Sequence, residues 1–205
     1  YVDLARVYRE EIADLAAAGC RYLQIDETNL AYLCDPTLRD HARSLGEDPD
    51  QLLRTYATLL NDVVAGKPAD MVKAMHLCRG NYGGAWVAEG GYEPVAEVLL
   101  ADINVDGYFM EFDSDRAGGF EPLRFLPKGK TVVLGLITTK NGALETAESI
   151  KALINEAAKV LPLDQLALSP QCGFASGIEG MAMSIDQQIE KLKLVVEVAR
   201  DVWGD

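Results

Sequence analysis

The stretch Val132-Val133-Leu134-Gly135-Leu136-Ile137 carries no polar residue. A strand with one wet face alternates apolar and polar side chains, so an unbroken apolar run predicts a strand covered on both faces. It sits in a longer strand-like segment, Thr131–Thr138, and similar runs flank it at Arg21 to Asp26, Met71–His76, Gly107–Phe112 and Leu166–Ser169. Helical patterns separate these runs. Val2 to Ala18 places Leu4, Val7, Tyr8, Ile12 and Leu15 near a 3.6-residue period, and Gly19 ends the helix. Asp48-Pro49 reads as an N-cap followed by proline at the first helical position, ahead of Leu52, Leu53, Tyr56, Leu59, Leu60 and Val63. Further helices are predicted at about Glu93–Ala101 and Leu144–Leu161. A last one starts at Ser184, where Ser184 and Gln187 form a capping box, and runs to Trp203.

Strands that alternate with helices imply a parallel sheet with right-handed crossovers. The five strands fit two architectures. One is an open doubly wound sheet. The other is part of a β/α barrel, which has eight strands and about 250 residues. The sequence begins inside a helix, with neither Met nor cap, which favours the barrel. The expected fold is therefore α/β: residues 1–205 as the C-terminal portion of a single (β/α)8 TIM barrel domain, supplying its last five strands.

Bulk properties narrow the function. A chain of 205 residues suits one domain with a sizeable core. Its 32 acidic against 19 basic residues give a formal charge of −13, which repels phosphate backbones and anionic lipid. Nucleic acid and membrane surfaces are thus not expected partners. No apolar run approaches the ~20 residues that span a bilayer, and no basic-then-apolar leader precedes the first helix. The expected location is the cytoplasm, with Cys20, Cys34, Cys78 and Cys172 as reduced thiols.

Polar residues gather at the C-terminal ends of the predicted strands: Asp26-Glu27, His76-x-Cys78, Glu111, Thr138-Thr139-Lys140-Asn141 and Ser169-Pro170-Gln171-Cys172. Active sites of parallel sheets form at that edge. One imidazole, two thiols and a carboxylate there suit Zn²⁺ better than magnesium or calcium, which take oxygen ligands. The candidate ligands are His76, Cys78, Glu111 and Cys172. They come from three separate strands, unlike a zinc ribbon, and the carboxylate is the most replaceable of the four. Two thiolates and a carboxylate more than neutralise Zn²⁺. That favours holding a substrate thiolate over activating water, since coordination deprotonates a thiol whose free pKa is roughly 8.5.

Each residue taken alone also has a structural reading. Cys172 beside Gly173 suits a small buried side chain, Glu111 a salt bridge, and Asp26-Glu27 a helix N-cap. Cys20 and Cys34 read as packing residues, and His41, among Arg39, Asp40 and Arg43, as a surface residue. Trp86 and Tyr92 fit either core aromatics or a lid over a substrate, and the sequence does not separate the two.

The segments Tyr22-Leu23-Gln24-Ile25-Asp26-Glu27, His76-Leu77-Cys78-Arg79-Gly80-Asn81, Glu111-Phe112-Asp113-Ser114 and Ser169-Pro170-Gln171-Cys172-Gly173 resemble the catalytic half of cobalamin-independent methionine synthases. The likeness spans essentially the whole chain and is greatest to the short single-barrel relatives. It implies zinc at His76, Cys78, Glu111 and Cys172, and transfer of a methyl group from the N5 of a methylated, polyglutamylated folate to the thiolate of homocysteine. On this reading Asp26 orients the thiol substrate through its amino group and is the catalytic candidate. Glu27, Lys140, Asn141 and Gln171 complete the substrate-binding set.

Two motifs depart from the long synthases. Asp26-Glu27-Thr28-Asn29 stands for Asp-Glu-Pro-Ala, and Thr138-Thr139-Lys140-Asn141 stands for a His-Ser-Pro-Asn segment. Lys140 in that place points to an acidic substrate group. Some single-barrel relatives alkylate other thiols such as coenzyme M, or take methyl groups from a corrinoid protein. A metal-free decarboxylase-like barrel and a non-catalytic protein are the remaining alternatives.

Overall fold

The protein's computed structural model describes residues 1–175, 177 and 183–204. Five strands form one sheet: β1 (Tyr22–Glu27), β2 (Val72–Leu77), β3 (Gly107–Glu111), β4 (Thr131–Ile137) and β5 (Leu166–Pro170). Every neighbouring pair is parallel, and the spatial order is β1-β2-β3-β4-β5. A doubly wound sheet would reverse its order at a switch point. No reversal occurs, so of the two architectures the observed one is an arc of a β/α barrel.

Among the described residues six α-helices accompany the strands: α1 (Val2–Ala17), α2 (Asn29–Tyr32), α3 (Pro36–Ser44), α4 (Pro49–Val64), α5 (Ala147–Ala157) and α6 (Ile185–Trp203). The Asp48 and Ser184 caps are as the sequence predicts, the second a complete capping box. Helix α3 was not foreseen, although Asp35-Pro36 repeats the Asp48-Pro49 signal; Asp35 Oδ1 accepts from the amides of Thr37 at 2.8 Å and Leu38 at 3.3 Å. Helix α5 begins later than Leu144 because Thr146 takes the cap position, its hydroxyl accepting from Ser149 N at 3.1 Å. The helix expected over Glu93–Ala101 is present from residue 96, with a wider π-helical turn over Val98–Asp102. This wider turn leaves Leu99, Leu100 and Ile103 without exposure. On α1, the packing face is Ala5, Ile12 and Ala16, while Leu4, Val7 and Tyr8 of the expected apolar stripe are exposed. No helix among the described residues is long and apolar enough to cross a membrane.

The two faces of the sheet differ in chemistry. Met75, Leu77, Tyr108, Met110, Val132, Leu134 and Leu136 point to the helices and form the core, each 2% exposed or less. The opposite, concave face carries the polar residues in register. Asp26, His76, Phe109 and Val133 lie in one row of paired positions, and Glu111, Gly135 and Ser169 in the next. The run Val132–Ile137 is buried without interruption only from Leu134 onward; Val133, in the row with Asp26 and His76, is half-buried.

This asymmetry sets the cost of truncation. Leu134→Ala removes a fully buried side chain and should lower unfolding free energy by about 2–5 kcal/mol. Val133→Ala, one residue away on the concave face, should cost about 1 kcal/mol. Urea denaturation of the two variants checks this, and equal losses would contradict the assignment of faces.

Candidate metal centre

Three strand ends bring four ligand atoms together. His76 lies within β2, Cys78 follows it, Glu111 closes β3 and Cys172 follows β5. The chain turns sharply after Cys78. Gly80 adopts φ +91°, and a Cβ there would lie 2.9 Å from Val87 N, so glycine is required. The Cys78 amide donates to Glu27 O at 2.9 Å, which holds the end of β2 against β1.

Cys172 Sγ lies at the centre of the group. It is 3.3 Å from His76 Nε2, 3.4 Å from Cys78 Sγ and 3.0 Å from Glu111 Oε1. His76 Nε2 is 3.7 Å from Glu111 Oε1, and all four ligand atoms lie within 4.8 Å of one another. Zinc bonds of ~2.3 Å to sulfur and ~2.0 Å to nitrogen give tetrahedral donor separations on the order of 3.3–3.8 Å. The donor set and its spacing fit a metal of that kind.

The protons on these groups follow from the contacts. The hydrogen bond from Cys172 pulls the Cys78 thiol down to about 4, with His76 adding to the effect against burial. Cys172 moves the opposite way. Donating to Cys78 raises it most, followed by burial and the charge of Glu111. Burial disfavours the His76 cation, but contact with Cys78 and the Glu111 and Asp26 charges outweigh it and raise the imidazole above its usual range. The two thiols titrate as a pair, with Cys78 favoured as the thiolate and Cys172 as the thiol.

The carboxylate of Glu111 has no exposure. Its Oε2 meets Lys140 Nζ at 3.3 Å and Arg116 NH2 at 3.6 Å. Arg116 also pairs with Asp113 at 3.0 Å and lies 4.7 Å over the Trp86 ring. Burial acts to raise Asp113, but hydrogen bonding to Gln171 and the charges of Arg116 and Lys140 outweigh it and hold the carboxyl below the usual range. The main chain of Glu111 is gripped by Tyr92, whose hydroxyl accepts from Glu111 N at 3.0 Å and donates to Glu111 O at 3.2 Å. The same hydroxyl accepts from Arg79 Nε at 3.2 Å, and the Arg79 guanidinium stacks on that ring at 4.3 Å. Tyr92 is thus a core aromatic, whereas Trp86 is half exposed.

A cavity of about 460 Å³ opens beside this cluster, lined among others by Gln24, Asp26, His76, Cys78, Gln171 and Cys172. Asp26 faces it, with burial and then the Cys78 charge raising its carboxyl above the usual range. Glu27 does not line the cavity; its two oxygens accept from Asn29 N at 3.1 Å and Leu30 N at 2.7 Å, capping α2. Asn141 is exposed and its Oδ1 accepts from Ala143 N at 3.0 Å. Lys140 stands behind the ligands, donating to Gln171 Oε1 at 2.7 Å. Cys34 is buried and its thiol pushed up to about 12, while His41 is exposed.

Sequence reasoning passed over Arg116, Asp113 and Lys191. Asp113 follows Glu111 at the two-residue period of a strand, a usable signal. Arg116 sits in a 3₁₀ turn at Asp115–Ala117, where no periodicity marks it. Lys191, on the last helix, is fully buried against Glu145 Oε2 at 2.9 Å, and Glu145 Oε1 accepts from Thr138 N at 2.8 Å. That relay fixes the loop carrying Lys140.

An arc of a parallel β/α barrel with a Cys₂-His-Glu cluster at the C-terminal strand ends defines a barrel domain with a candidate metal site. Residues 1–201 match the family model of the cobalamin-independent synthase catalytic domain, and the chain belongs to that family. It is 48% identical over 202 residues to the uncharacterised Bacillus subtilis protein YxjH, covering 98% of this chain and 54% of that one. A solved Listeria monocytogenes protein, provisionally named a vitamin-B12-independent methionine synthase, is 40% identical with a TM-score of 0.74; the match covers 99% of this chain and 55% of that one. A B12-independent methionine synthase from Shewanella shares the fold at 23% identity and a TM-score of 0.70, over 98% of this chain and 53% of the other. The chain spans about half the length of these relatives.

Metal loading must displace the proton that the paired thiols retain. Zinc affinity should therefore rise about tenfold per pH unit through the neutral range, and more steeply below the His76 pKa, where a second proton competes. Calorimetry in buffers of different ionisation enthalpy checks this. Binding without proton release would contradict it.

Proposed function

We propose that this chain is the C-terminal portion, residues 1–205, of a single zinc-binding barrel that methylates a small thiol in the cytoplasm. The acceptor is homocysteine and the donor a methylated, polyglutamylated folate. The observation that carries the reading is the cluster of His76, Cys78, Glu111 and Cys172 opening onto a cavity. Family membership supports it. Zinc, when bound there, supplies a Lewis acid that keeps a substrate thiol deprotonated at neutral pH.

The chain's own residues account for the remaining work. Cys78 and Cys172 bring soft donors, and with Glu111 they would leave the centre electron-rich, so a sulfur held there stays nucleophilic toward a methyl carbon. Asp26, level with His76 in the sheet register, offers a carboxylate to the substrate ammonium and sets the distance from that group to the sulfur. Phe109, next in the same row, covers the floor of the cavity. Gln171 joins the Cys172 segment to Lys140. A second reading changes the acceptor or donor but not the centre. It is favoured by Thr138-Thr139-Lys140-Asn141, which puts no imidazole at the end of β4 for proton transfer.

The test is turnover. Full-length protein given L-homocysteine and a triglutamylated 5-methyltetrahydrofolate should form methionine. Asp26→Asn should raise KM for homocysteine at least about tenfold, the loss of roughly 1.4 kcal/mol of ion pairing. Methylation of coenzyme M, or use of a methylcorrinoid, with no methionine formed, would replace this acceptor and donor by the second reading.

A further inference from the structure

The two oxygens of Glu111 have different neighbours. Oε1 meets Cys172 Sγ at 3.0 Å and His76 Nε2 at 3.7 Å. Oε2 meets Lys140 Nζ at 3.3 Å and Arg116 NH2 at 3.6 Å. The side chains of Glu111, Lys140 and Arg116 are 1%, 6% and 7% exposed, so solvent does little to screen their charges. Lys140 is also fixed in place: Nζ donates to Gln171 Oε1 at 2.7 Å, and its amide donates to Thr138 Oγ1 at 3.2 Å. With its side chain almost fully buried, the ammonium offers a substrate carboxylate little access. Arg116, by contrast, divides its charge between Glu111 and Asp113.

From this geometry we infer that Lys140 is a positioning residue acting through Glu111: it holds Oε2 and makes Glu111 the ligand that gives way when the substrate thiol enters. The inference rests on the zinc and thiol reading above. An ammonium beside a carboxylate competes with a metal cation for the same negative charge, and it also repels that cation directly. Neither sulfur nor the imidazole has a lysine or arginine partner within salt-bridge or hydrogen-bond distance among the described residues, so the weakened donor is Glu111. With the metal bound, Glu111 would be the ligand to yield its Oε1 position to the substrate sulfur; the S–H proton would pass to solvent through the cavity, and the carboxylate would keep its contacts to Lys140 and Arg116. Lys140 therefore lowers zinc affinity and raises thiol affinity.

The experiment compares Lys140→Met and Lys140→Arg with wild type in the full-length protein. Zn²⁺ affinity is read by competition with a chromophoric chelator, and L-homocysteine binding to the zinc-loaded protein by calorimetry. Lys140→Met should bind Zn²⁺ at least about tenfold tighter and L-homocysteine at least about tenfold weaker. Lys140→Arg, which keeps the charge, should stay close to wild type for Zn²⁺. In a Glu111→Gln background the tighter zinc binding of Lys140→Met should vanish, because the coupling runs through that carboxylate. A merely structural role would lower zinc affinity, the opposite sign. If Lys140→Met does not fold, Lys140→Gln is read by the same criteria.

Unchanged or weaker Zn²⁺ binding in a folded variant, or a gain that survives in Glu111→Gln, overturns the inference. Wild-type protein that binds no Zn²⁺ overturns the proposed function and this inference with it. Zinc in wild type with a failed Lys140 series overturns this inference alone.

Discussion

A carboxylate with no access to water must have its charge answered by the protein, and Glu111 is such a group. One oxygen is answered by a thiol and an imidazole, the other by Lys140 and Arg116. Removing Lys140 and Arg116 together would leave a buried charge without a cation, a loss of about 3–5 kcal/mol in comparable sites. Much of the local architecture can be read as what keeps those partners in reach. Arg79 and Tyr92 lock the backbone on both sides of the carboxylate, and Lys191 with Glu145 fixes the β4–α5 loop from which Lys140 projects.

The sheet supplies the geometry on which this depends. Parallel pairing sets Asp26 level with His76, and places Glu111 beside Gly135 one row further along. Gly135 matters because a Cβ there would lie 3.0 Å from Met110 O and 3.5 Å from the Glu111 Cα, crowding the strand that carries the ligand. The other face is packed with apolar side chains, and from that core Tyr92 reaches the site through the Glu111 backbone. Stability and chemistry thus lie largely on opposite faces of the same strands, and the chemistry sits at their C-terminal ends, as in barrel proteins generally.

The parts that were legible in the sequence are those with strong local signals. Strand-like runs, one of them wholly apolar at Val132–Ile137, marked all five strands to within a residue or two, and the Asp48-Pro49 and Ser184/Gln187 caps marked their helices. The His76-x-Cys78, Glu111 and Cys172 positions stood out because metal-ligating side chains recurred at strand ends, and the structure brings their ligand atoms together. What the pattern could not supply was side-chain direction beyond the strands. Glu27 and Asp26 are adjacent and chemically alike, yet the two-residue alternation sends one to cap α2 and the other to the cavity. Lys140 reads as a free cation in a loop, and only its tertiary contacts reveal that both Glu111 and Gln171 already occupy it. Lys191 is distant in sequence from the Glu145 it holds, and Arg116, though near Asp113 and Glu111, sits in a 3₁₀ turn where no periodicity points to it.

The account stands on one claim, that His76, Cys78, Glu111 and Cys172 bind a single zinc ion. X-ray absorption at the zinc edge, on reduced wild-type protein and Cys172→Ser, tests it most directly. Wild type should hold close to one zinc per chain, with two sulfur neighbours at ~2.3 Å and nitrogen or oxygen neighbours at ~2.0–2.2 Å. The variant should lose zinc or retain a single sulfur. Folded, reduced wild-type protein that takes up no zinc, or holds it with oxygen and nitrogen neighbours alone, would contradict the claim.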